Sequence, residues 1–275
     1  MTVIHGDCCM VMRGLPAGSV NLIVTSPPYS DQRKDTYGGI APEKYVEWFL
    51  NISAEMQRLL TPDGSLVLNI KEKTTNKQRD LYVHRLILAL CDRQGWKFID
   101  EFIWHKKNGF PNGRLNGLRD GFERCLHFAK QTDIKIRKEN VRIPIAKGTR
   151  DRANRDKYGN RARPSKTGSG MNIRVEFYKG KDTVFPSNVL HTAAETQNRG
   201  HPAVFPVAIP DFFIRLLTDP GDTVLDPFFG SGTTGVAAHE RNRHWIGIER
   251  NREYYEVALA RTNEVMAQPR LEGVA

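Results

Sequence analysis

The sequence constrains its fold most strongly near its C-terminus, where a strand, a glycine-rich turn and a helix follow one another. Val224-Leu225 leads into the turn 226–234 (DPFFGSGTT), a helix of small residues is predicted over 233–241, and another strand over 244–248. Glycines let the backbone turn sharply and approach a ligand closely, and the amides that open a helix favour negative charge. The segment therefore predicts a ligand-binding loop at the carboxyl end of a strand.

The rest of the chain alternates between short apolar runs and longer segments with helical spacing. Strands are predicted at 20–25, 65–70, 96–104, 224–225 and 244–248, and helices at 42–60, 81–94, 210–218 and 233–241. Such alternation is typical of an α/β fold, a layered sheet with connecting helices on its faces. With 275 residues, the chain is long enough to bury a large core.

Composition excludes several other classes of protein. Apolar residues make up 39% and charged residues 26%, which excludes disorder and low complexity. No stretch approaches the roughly 18 consecutive apolar residues of a membrane span, and the N-terminus lacks the pattern of a secretory signal. The four cysteines show neither metal-ligand spacing nor a disulfide pattern. We therefore expect a cytoplasmic globular protein without a bound metal or a membrane partner.

Glu249 is predicted to end the strand that follows the glycine-rich turn, 23 positions after Asp226. At this spacing a carboxylate can accept both hydroxyls of a ribose. The third glycine of the dinucleotide pattern is absent, and no lysine follows the loop as it does in ATP-binding loops. A ligand with a ribose but no phosphates fits better, and S-adenosylmethionine is such a ligand. A nicotinamide-dependent oxidoreductase is the alternative.

A second motif, Ser26-Pro27-Pro28-Tyr29, follows the predicted strand 20–25, at the edge where open α/β sheets bind ligands. The prolines fix the backbone and leave carbonyl oxygens that can accept, and Ser26 adds a hydroxyl. Tyr29 offers an aromatic face. A planar base could stack on Tyr29 and donate its amino hydrogens to Ser26 and to the Pro27 carbonyl.

One segment carries the whole formal net charge of +10. Residues 131–181 contain 15 Lys and Arg against 5 Asp and Glu, and the remaining chain has 26 of each sign. Such a block neutralises phosphates and attracts a polyanion. The alternatives are a solvated loop and a non-catalytic DNA-binding module. The residues predicted to contact DNA are Arg150, Arg152, Arg155, Arg161 and Arg163.

The two motifs, with the basic segment between them, resemble the β-class DNA amino-methyltransferases. Segments 5–7, 102–106 and 201–206 are also similar to that family. The resemblance implies a Rossmann-like, S-adenosylmethionine-dependent methyltransferase sheet with a circularly permuted motif order. It further implies a catalytic and cofactor domain at 1–130 and 197–275, and an inserted basic target-recognition region at 131–196.

The resemblance also assigns roles to the motifs. Catalysis would involve Ser26, Pro27, Pro28 and Tyr29. The methyl donor, S-adenosyl-L-methionine, would be bound by Asp7, Asp226, Phe228, Gly230, Ser231, Gly232, Thr233 and Glu249. The substrate would be double-stranded DNA whose target base flips out of the stack. A cognate restriction endonuclease is a candidate functional partner.

Ser26 bears on the choice of base. Members of the family that modify adenine N6 usually have Asp or Asn at this position, and members that modify cytosine N4 usually have Ser. The resemblance is therefore closest to the N4-cytosine type, with adenine N6 as the alternative. His105 and His201 are candidates to accept the proton that leaves the amino group.

Overall fold

An eight-stranded sheet forms the centre of the larger of two compact units. The computed structural model describes residues 1–30, 39–75, 77–107, 118, 120–148, 150–151, 180–193 and 205–267. The larger unit comprises Met1–Arg137 and Asn188–Ala275, and the smaller unit comprises Lys138–Ser187.

In chain order the strands are β1 (Thr2–His5), β2 (Val20–Thr25), β3 (Leu60–Ile70), β4 (Thr74–Thr75), β5 (Gln78–Arg79), β6 (Lys97–Lys106), β7 (Phe122–Ala129), β8 (Ile143–Pro144), β9 (Thr183–Val184), β10 (Val189–Thr192), β11 (Thr223–Asp226) and β12 (His244–Glu249). The longest strands are β3, β6 and β7, with 11, 10 and 8 residues. The order across the main sheet is β1-β12-β11-β2-β3-β7-β6-β10. Neighbours are parallel except at β7, which is antiparallel to both β3 and β6.

Helices connect the strands and cover the sheet. They are α1 (Cys8–Arg13), α2 (Pro42–Leu59), α3 (Tyr82–Gln94), α4 (Ala208–Leu217), α5 (Thr233–Glu240) and α6 (Arg252–Ala267). A proline at the first helical position begins α2, and Gly95, with a left-handed φ of 74°, ends α3.

One apolar core joins α2 and α3 to the central strands. Tyr45, Phe49 and Met56 on α2 are fully buried, as are Tyr82 and Leu86 on α3. Five of the six residues of β2 are buried. Because helices cover both faces of a parallel sheet, its inner strands are apolar along their length instead of alternating.

The topology brings several strand ends to one edge of the sheet. The carboxyl ends of β1, β12, β11, β2 and β3 lie together because these strands are parallel neighbours. Since β7 runs in the opposite direction, its first residues reach the same edge. Both motifs singled out in the sequence follow strands that end at this edge.

The predicted α/β class is confirmed, but three strands of the sheet were not predicted. In β1 only Val3 is buried, so the strand has no apolar run. The segment 5–7 begins with the last residue of β1 and ends with Asp7, the N-cap of α1. The other two are β7 and the four-residue β10.

Residues 61–64, which separate the predicted helix 42–60 from the predicted strand 65–70, lie within β3. Val20 pairs with Leu60 but Leu22 pairs with Ser65, so the register shifts and the extra residues are taken up as an irregularity while the strand continues. A proline and a glycine in such a position mark a bulge as readily as a strand end.

The smaller unit, residues 138–187, is shorter at both ends than the inserted region expected at 131–196. Arg137 and β10 fall in the expected insert but belong to the larger unit: Arg137 donates two hydrogen bonds to Asp219, and β10 pairs with β6. Within the smaller unit, β8 and β9 form an antiparallel pair, and the Arg142 guanidinium lies 4.2 Å from the centre of the Phe185 ring. No helix in the described ranges has the length and apolar character needed to cross a membrane.

Candidate active site

The glycine-rich loop is organised around the buried carboxylate of Asp226, the last residue of β11. Its Oδ1 accepts hydrogen bonds from the Thr25 hydroxyl at 2.7 Å and the Phe228 backbone N–H at 3.0 Å. Its Oδ2 accepts from the Thr234 hydroxyl at 2.7 Å. Burial raises the pKa of Asp226 to about 6, and these hydrogen bonds oppose the rise. Asp226 therefore shapes the loop from inside the protein.

Glu249 ends β12 next to this loop, as predicted. It is 2% exposed, and its Oε2 and Oε1 accept hydrogen bonds from the backbone N–H groups of Gly230 at 2.8 Å and Asn251 at 2.7 Å. Burial raises the pKa of Glu249, and these N–H groups lower it. Each carboxylate oxygen retains a further lone pair, so the two oxygens of Glu249 can still accept hydrogen bonds from two ribose hydroxyls. These hydrogen-bond acceptors fit the ribose of a nucleoside ligand.

Gly232 and Gly247 give the loop its close packing. Gly232 has a left-handed φ of 85°, and a Cβ there would lie 3.3 Å from a Thr262 methyl group. A Cβ on Gly247 of β12 would lie 2.3 Å from the Phe229 ring. Phe229 is buried and stacks on Trp245 with ring centres 5.5 Å apart. The loop backbone therefore lies directly on the sheet and on α6.

Other members of the predicted cofactor set have partners within the protein. Arg261 of α6, which was not predicted, donates to the Ser231 backbone and side-chain oxygens and to the Thr233 hydroxyl at 3.1–3.3 Å. Phe228 is half-buried and lies against Trp48, with ring centres 5.9 Å apart. These residues support the loop, and the partly exposed Phe228 can also contact a ligand.

Asp7 lies beyond β1, the strand that pairs with β12. Its Oδ1 accepts hydrogen bonds from the backbone N–H groups of Cys9 and Met10. The Gly6 N–H donates to the Glu249 carbonyl at 3.0 Å, which keeps this turn beside the strand end. The carboxylate and the thiols of Cys8 and Cys9 lie within 4.8 Å of one another. Burial raises the pKa of Cys8, which disfavours the thiolate that a metal requires.

The loop Ser26–Tyr29 follows β2, the neighbour of β11. The Tyr45 hydroxyl donates to the Pro28 carbonyl at 3.0 Å and anchors the loop to α2. Thr25, directly before Ser26, makes the hydrogen bond to Asp226. The two predicted loops therefore lie at neighbouring strand ends and are joined by one buried hydrogen bond.

Tyr29 is held by residues that sequence reasoning missed. Its hydroxyl lies 2.7 Å from Oε2 of Glu123 on β7 and 3.1 Å from Oδ1 of Asn69 on β3. Lys106, at the end of β6, donates to Oε1 of Glu123 at 2.6 Å. Burial is the main cause of the raised pKa of Tyr29. The signal available in the sequence was the position of Asn69 near a predicted strand end.

Other predicted residues belong to the smaller unit or lie outside the described residues. Arg150 belongs to the smaller unit, where it lies 3.5 Å from Asp182. Arg152, Arg155, Arg161 and Arg163 lie outside the described residues, as does His201. The exposed His105 ring lies against His191, with their Nδ1 atoms 3.1 Å apart.

The sequence and the structure were then compared with known proteins. The model of a DNA methylase family, the N6/N4 methyltransferases, matches residues 20–260. M.PvuII of Proteus hauseri, a type II methyltransferase, is 31% identical over 282 residues, which cover 93% of this chain and 82% of that protein. M.Cfr9I of Citrobacter freundii, also a type II methyltransferase, is 30% identical, with coverage of 94% and 87%.

Solved structures agree with the sequence comparison. A PvuII DNA methyltransferase described as cytosine-N4-specific has a TM-score of 0.73 at 26% identity, covering 96% of this chain and 89% of that chain. TTHA0409 of Thermus thermophilus, a putative DNA modification methylase complexed with S-adenosyl-L-methionine, has a TM-score of 0.64 at 23% identity, with coverage of 97% and 95%. The predicted methyltransferase fold is confirmed, and the chain belongs to the N6/N4 family of DNA methylases.

Proposed function

We propose that this DNA methyltransferase transfers a methyl group to the exocyclic N4 amino group of a cytosine in double-stranded DNA. The observation that carries the proposal is the junction of the two loops: Ser26–Tyr29 and the glycine-rich loop follow neighbouring strands, and Thr25 and Asp226 connect them. A donor bound at one loop and a base bound at the other would therefore meet.

The cofactor would be held at the glycine-rich loop. Glu249 would accept the ribose hydroxyls, and Asp7 would lie near the adenine end, as in the family that the sequence resembles. Phe228 would contribute apolar contact. When bound, S-adenosylmethionine supplies a methyl group on an electrophilic sulfonium. Positioning of both reactants by rigid loops would supply most of the rate.

The base would be held by the Ser26–Tyr29 loop. The amino group is hidden in duplex DNA, so the target nucleotide would flip out. Tyr29 would stack on the base, a contact worth about 1–3 kcal/mol. Ser26 and the Pro27 carbonyl would accept the amino hydrogens and aim the nitrogen lone pair at the methyl group.

Two observations favour cytosine over adenine. The residue before Pro-Pro-Tyr is Ser26, the residue usual in N4-cytosine enzymes of the family. The PvuII enzyme, at 31% sequence identity, carries the description cytosine-N4-specific. The family model includes N6 enzymes as well, so adenine N6 is the outcome that would correct this assignment.

Target recognition would belong to the smaller unit and the basic residues around it. Its excess of Lys and Arg suits contact with phosphates. A type II methyltransferase commonly works beside a restriction endonuclease, and the two relatives described above are type II enzymes. We propose a cognate endonuclease as functional partner and the cytoplasm as the site of action.

Labelled methyl transfer tests the role of the catalytic loop. The experiment measures single-turnover transfer from radiolabelled S-adenosylmethionine to duplex DNA by the wild type and by a Ser26→Ala, Tyr29→Ala double variant. We expect the variant to lose at least about 100-fold in rate, since it lacks both an acceptor and the stacking face. Full activity of the folded double variant would end the assignment of this loop as catalytic.

A further inference from the structure

A line of hydroxyl groups leads from the proposed base pocket to a buried carboxylate. The Ser26 Oγ donates to the Tyr29 Oη at 3.3 Å, and the Tyr29 Oη donates to Glu123 Oε2 at 2.7 Å. Glu123 is 7% exposed and also accepts from the Lys106 ammonium at 2.6 Å. Every donor in this line points toward Glu123, which leaves the lone pairs of Ser26 available to accept from an amino group.

The competing partner of Tyr29 is not a base. Asn69 Oδ1 lies 3.1 Å from the Tyr29 Oη, farther than Glu123 and without a charge. A hydroxyl has one proton, and a charged acceptor makes the stronger hydrogen bond. The Tyr29 hydroxyl therefore donates its hydrogen bond to Glu123 and not to Asn69. The Asn69 amide nitrogen donates to the Arg124 carbonyl at 3.2 Å, which fixes the orientation of the amide.

We propose that Glu123 is the terminal acceptor of the proton that leaves the amino group, reached through the hydroxyls of Ser26 and Tyr29. The proposal rests on the proposed function. It assigns Glu123 in place of His105 as the proton acceptor, because the His105 ring contacts His191.

The transfer balances in protons and charge. As the new C–N bond forms, the C–S bond of the donor would break and leave its electron pair on sulfur. The N–H bond of the amino group then breaks, and its proton binds the Ser26 Oγ. The former Ser26 proton passes to the Tyr29 Oη, and the former Tyr29 proton passes to Glu123 Oε2. The methylated base, Ser26 and Tyr29 end neutral, Glu123 loses its negative charge, and Lys106 keeps its positive charge. Glu123 then returns the proton to solvent.

The surroundings of Glu123 suit this role. Tyr29 remains protonated because burial raises its pKa, so it passes a proton on instead of holding a negative charge. Among the described residues, the other titratable groups near Glu123 include Lys106 on β6, Tyr82 at the start of α3 and Cys125 on β7. Burial raises the pKa of Cys125 to about 12, so this thiol stays neutral.

Two conservative variants test the proton path. Glu123→Gln keeps an oxygen that can accept from Tyr29 but removes the proton acceptor, and Tyr29→Phe keeps the aromatic face but breaks the path. We expect each to lower the single-turnover rate on duplex DNA by at least about tenfold, below the 10²–10⁴-fold typical of a direct base because water can substitute. The wild-type rate should be lower in D₂O than in H₂O, because protons move along the path, and this solvent isotope effect should be lost in both variants.

A matched control and a measurement without substrate complete the test. Glu101→Gln neutralises a carboxylate that pairs with Arg124 across the same two strands but is outside the path, and it should leave the rate and its solvent isotope effect unchanged. In the protein without cofactor or DNA, proton NMR should show a downfield hydroxyl resonance that disappears in Tyr29→Phe. That resonance should move upfield in Glu123→Gln, because the acceptor loses its charge.

Each result decides the proposal. A loss of rate with an unchanged solvent isotope effect in Glu123→Gln would mean that Glu123 only holds Tyr29 in place and would overturn the assignment. A wild-type rate in either variant would overturn it as well. Failure of the wild type to methylate DNA, or formation of N6-methyladenine, would instead refute the proposed function, since the proton path is judged only by comparing variants with the wild type.

Discussion

At the end of β11, the carboxylate of Asp226 accepts hydrogen bonds from Thr25, which precedes one ligand loop, and from Phe228 and Thr234 of the other. A buried carboxylate is costly unless hydrogen bonds satisfy it, so these three donors make it tolerable in the core. Sequence reasoning placed Asp226 against the cofactor. The structure gives it a positioning role between the two loops.

Asp226→Asn should change how stability depends on pH. The pKa of Asp226 is about 6 in the folded protein and about 3.9 in the unfolded chain, so the folded state binds the proton more tightly. Its contribution to stability is complete below pH 4 and is lost as pH rises through 6, a change of about 3 kcal/mol at most. Urea unfolding from pH 4 to 7 should show this loss in the wild type and not in the variant.

Asp92→Asn, which neutralises an exposed carboxylate on α3, provides the control for that measurement and should leave the wild-type pH dependence in place. A stability difference between wild type and Asp226→Asn that stays constant over the whole range would contradict the assigned ionisation.

At the scale of elements, the packing of β12 against the glycine-rich loop depends on the absence of side-chain atoms. The Phe229 ring occupies the space over Gly247 and also lies close to Gly235 of α5, where a Cβ would lie 2.6 Å from the ring. Trp245 also stacks on the Phe229 ring. The loop conformation and the strand–helix contact are therefore one packed unit.

Gly247→Ala should strain this unit. The new methyl group would overlap the Phe229 ring, and overpacking of this kind costs about 1–3 kcal/mol. We expect a lower urea midpoint and weaker S-adenosylmethionine binding by calorimetry, because Phe229 can move only with its loop. Gly121→Ala adds the same methyl group where nothing lies within 4 Å and should change stability by less than about 0.5 kcal/mol. Equal stability of the two variants would contradict this packing account.

The elements that could be predicted from sequence are those with a continuous apolar pattern. The bounds of β2 were predicted correctly, and those of α2 and α3 to within one residue, because buried runs and helical spacing mark them. β1 and β10 have four residues each and few buried positions, so neither produces a pattern. In β7 the apolar residues are interrupted by Glu123, Arg124 and His127, and the antiparallel pairing of the strand with β3 and β6 depends on the whole sheet.

For the same reason the site was predicted only in part. Ser26, Tyr29, Gly232 and Glu249 belong to local motifs, which a linear reading can detect. Glu123, Lys106 and Asn69 lie on three different strands. Glu123 and Asn69 contact Tyr29, and Lys106 contacts Glu123, only because β7 lies between β3 and β6 in the sheet. No spacing in the sequence indicates that these residues contact one another in the fold.

At the scale of the whole molecule, residues 131–181 carry the whole excess of positive charge, and the rest of the chain has equal numbers of basic and acidic residues. The excess of +10 in 131–181 predicts that most of the affinity for DNA phosphates arises there. The cofactor residues lie in other segments of the chain, so DNA binding and cofactor binding should respond to different substitutions.

Replacing Arg152, Arg155 and Arg161 with Gln should weaken DNA binding and reduce its dependence on salt. Each lost phosphate contact lowers the slope of log K against log salt by about 0.9, so three contacts account for about 3. Fluorescence anisotropy at several salt concentrations measures the slope, and calorimetry should show unchanged cofactor affinity. Replacing the exposed Arg13, Arg85 and Arg252 removes the same charge from the larger unit as a control. Equal slopes in the two triple variants would make the basic segment an ordinary solvated surface.

The identity of the methylated nucleoside tests the proposed function most directly. DNA from cells that express the protein is digested to nucleosides and analysed by mass spectrometry against standards, with DNA from cells expressing the Ser26→Ala, Tyr29→Ala variant as the background. We predict N4-methylcytosine that depends on the intact loop, and no C5-methylcytosine above background. N6-methyladenine in place of N4-methylcytosine would contradict the assignment of cytosine as the target base.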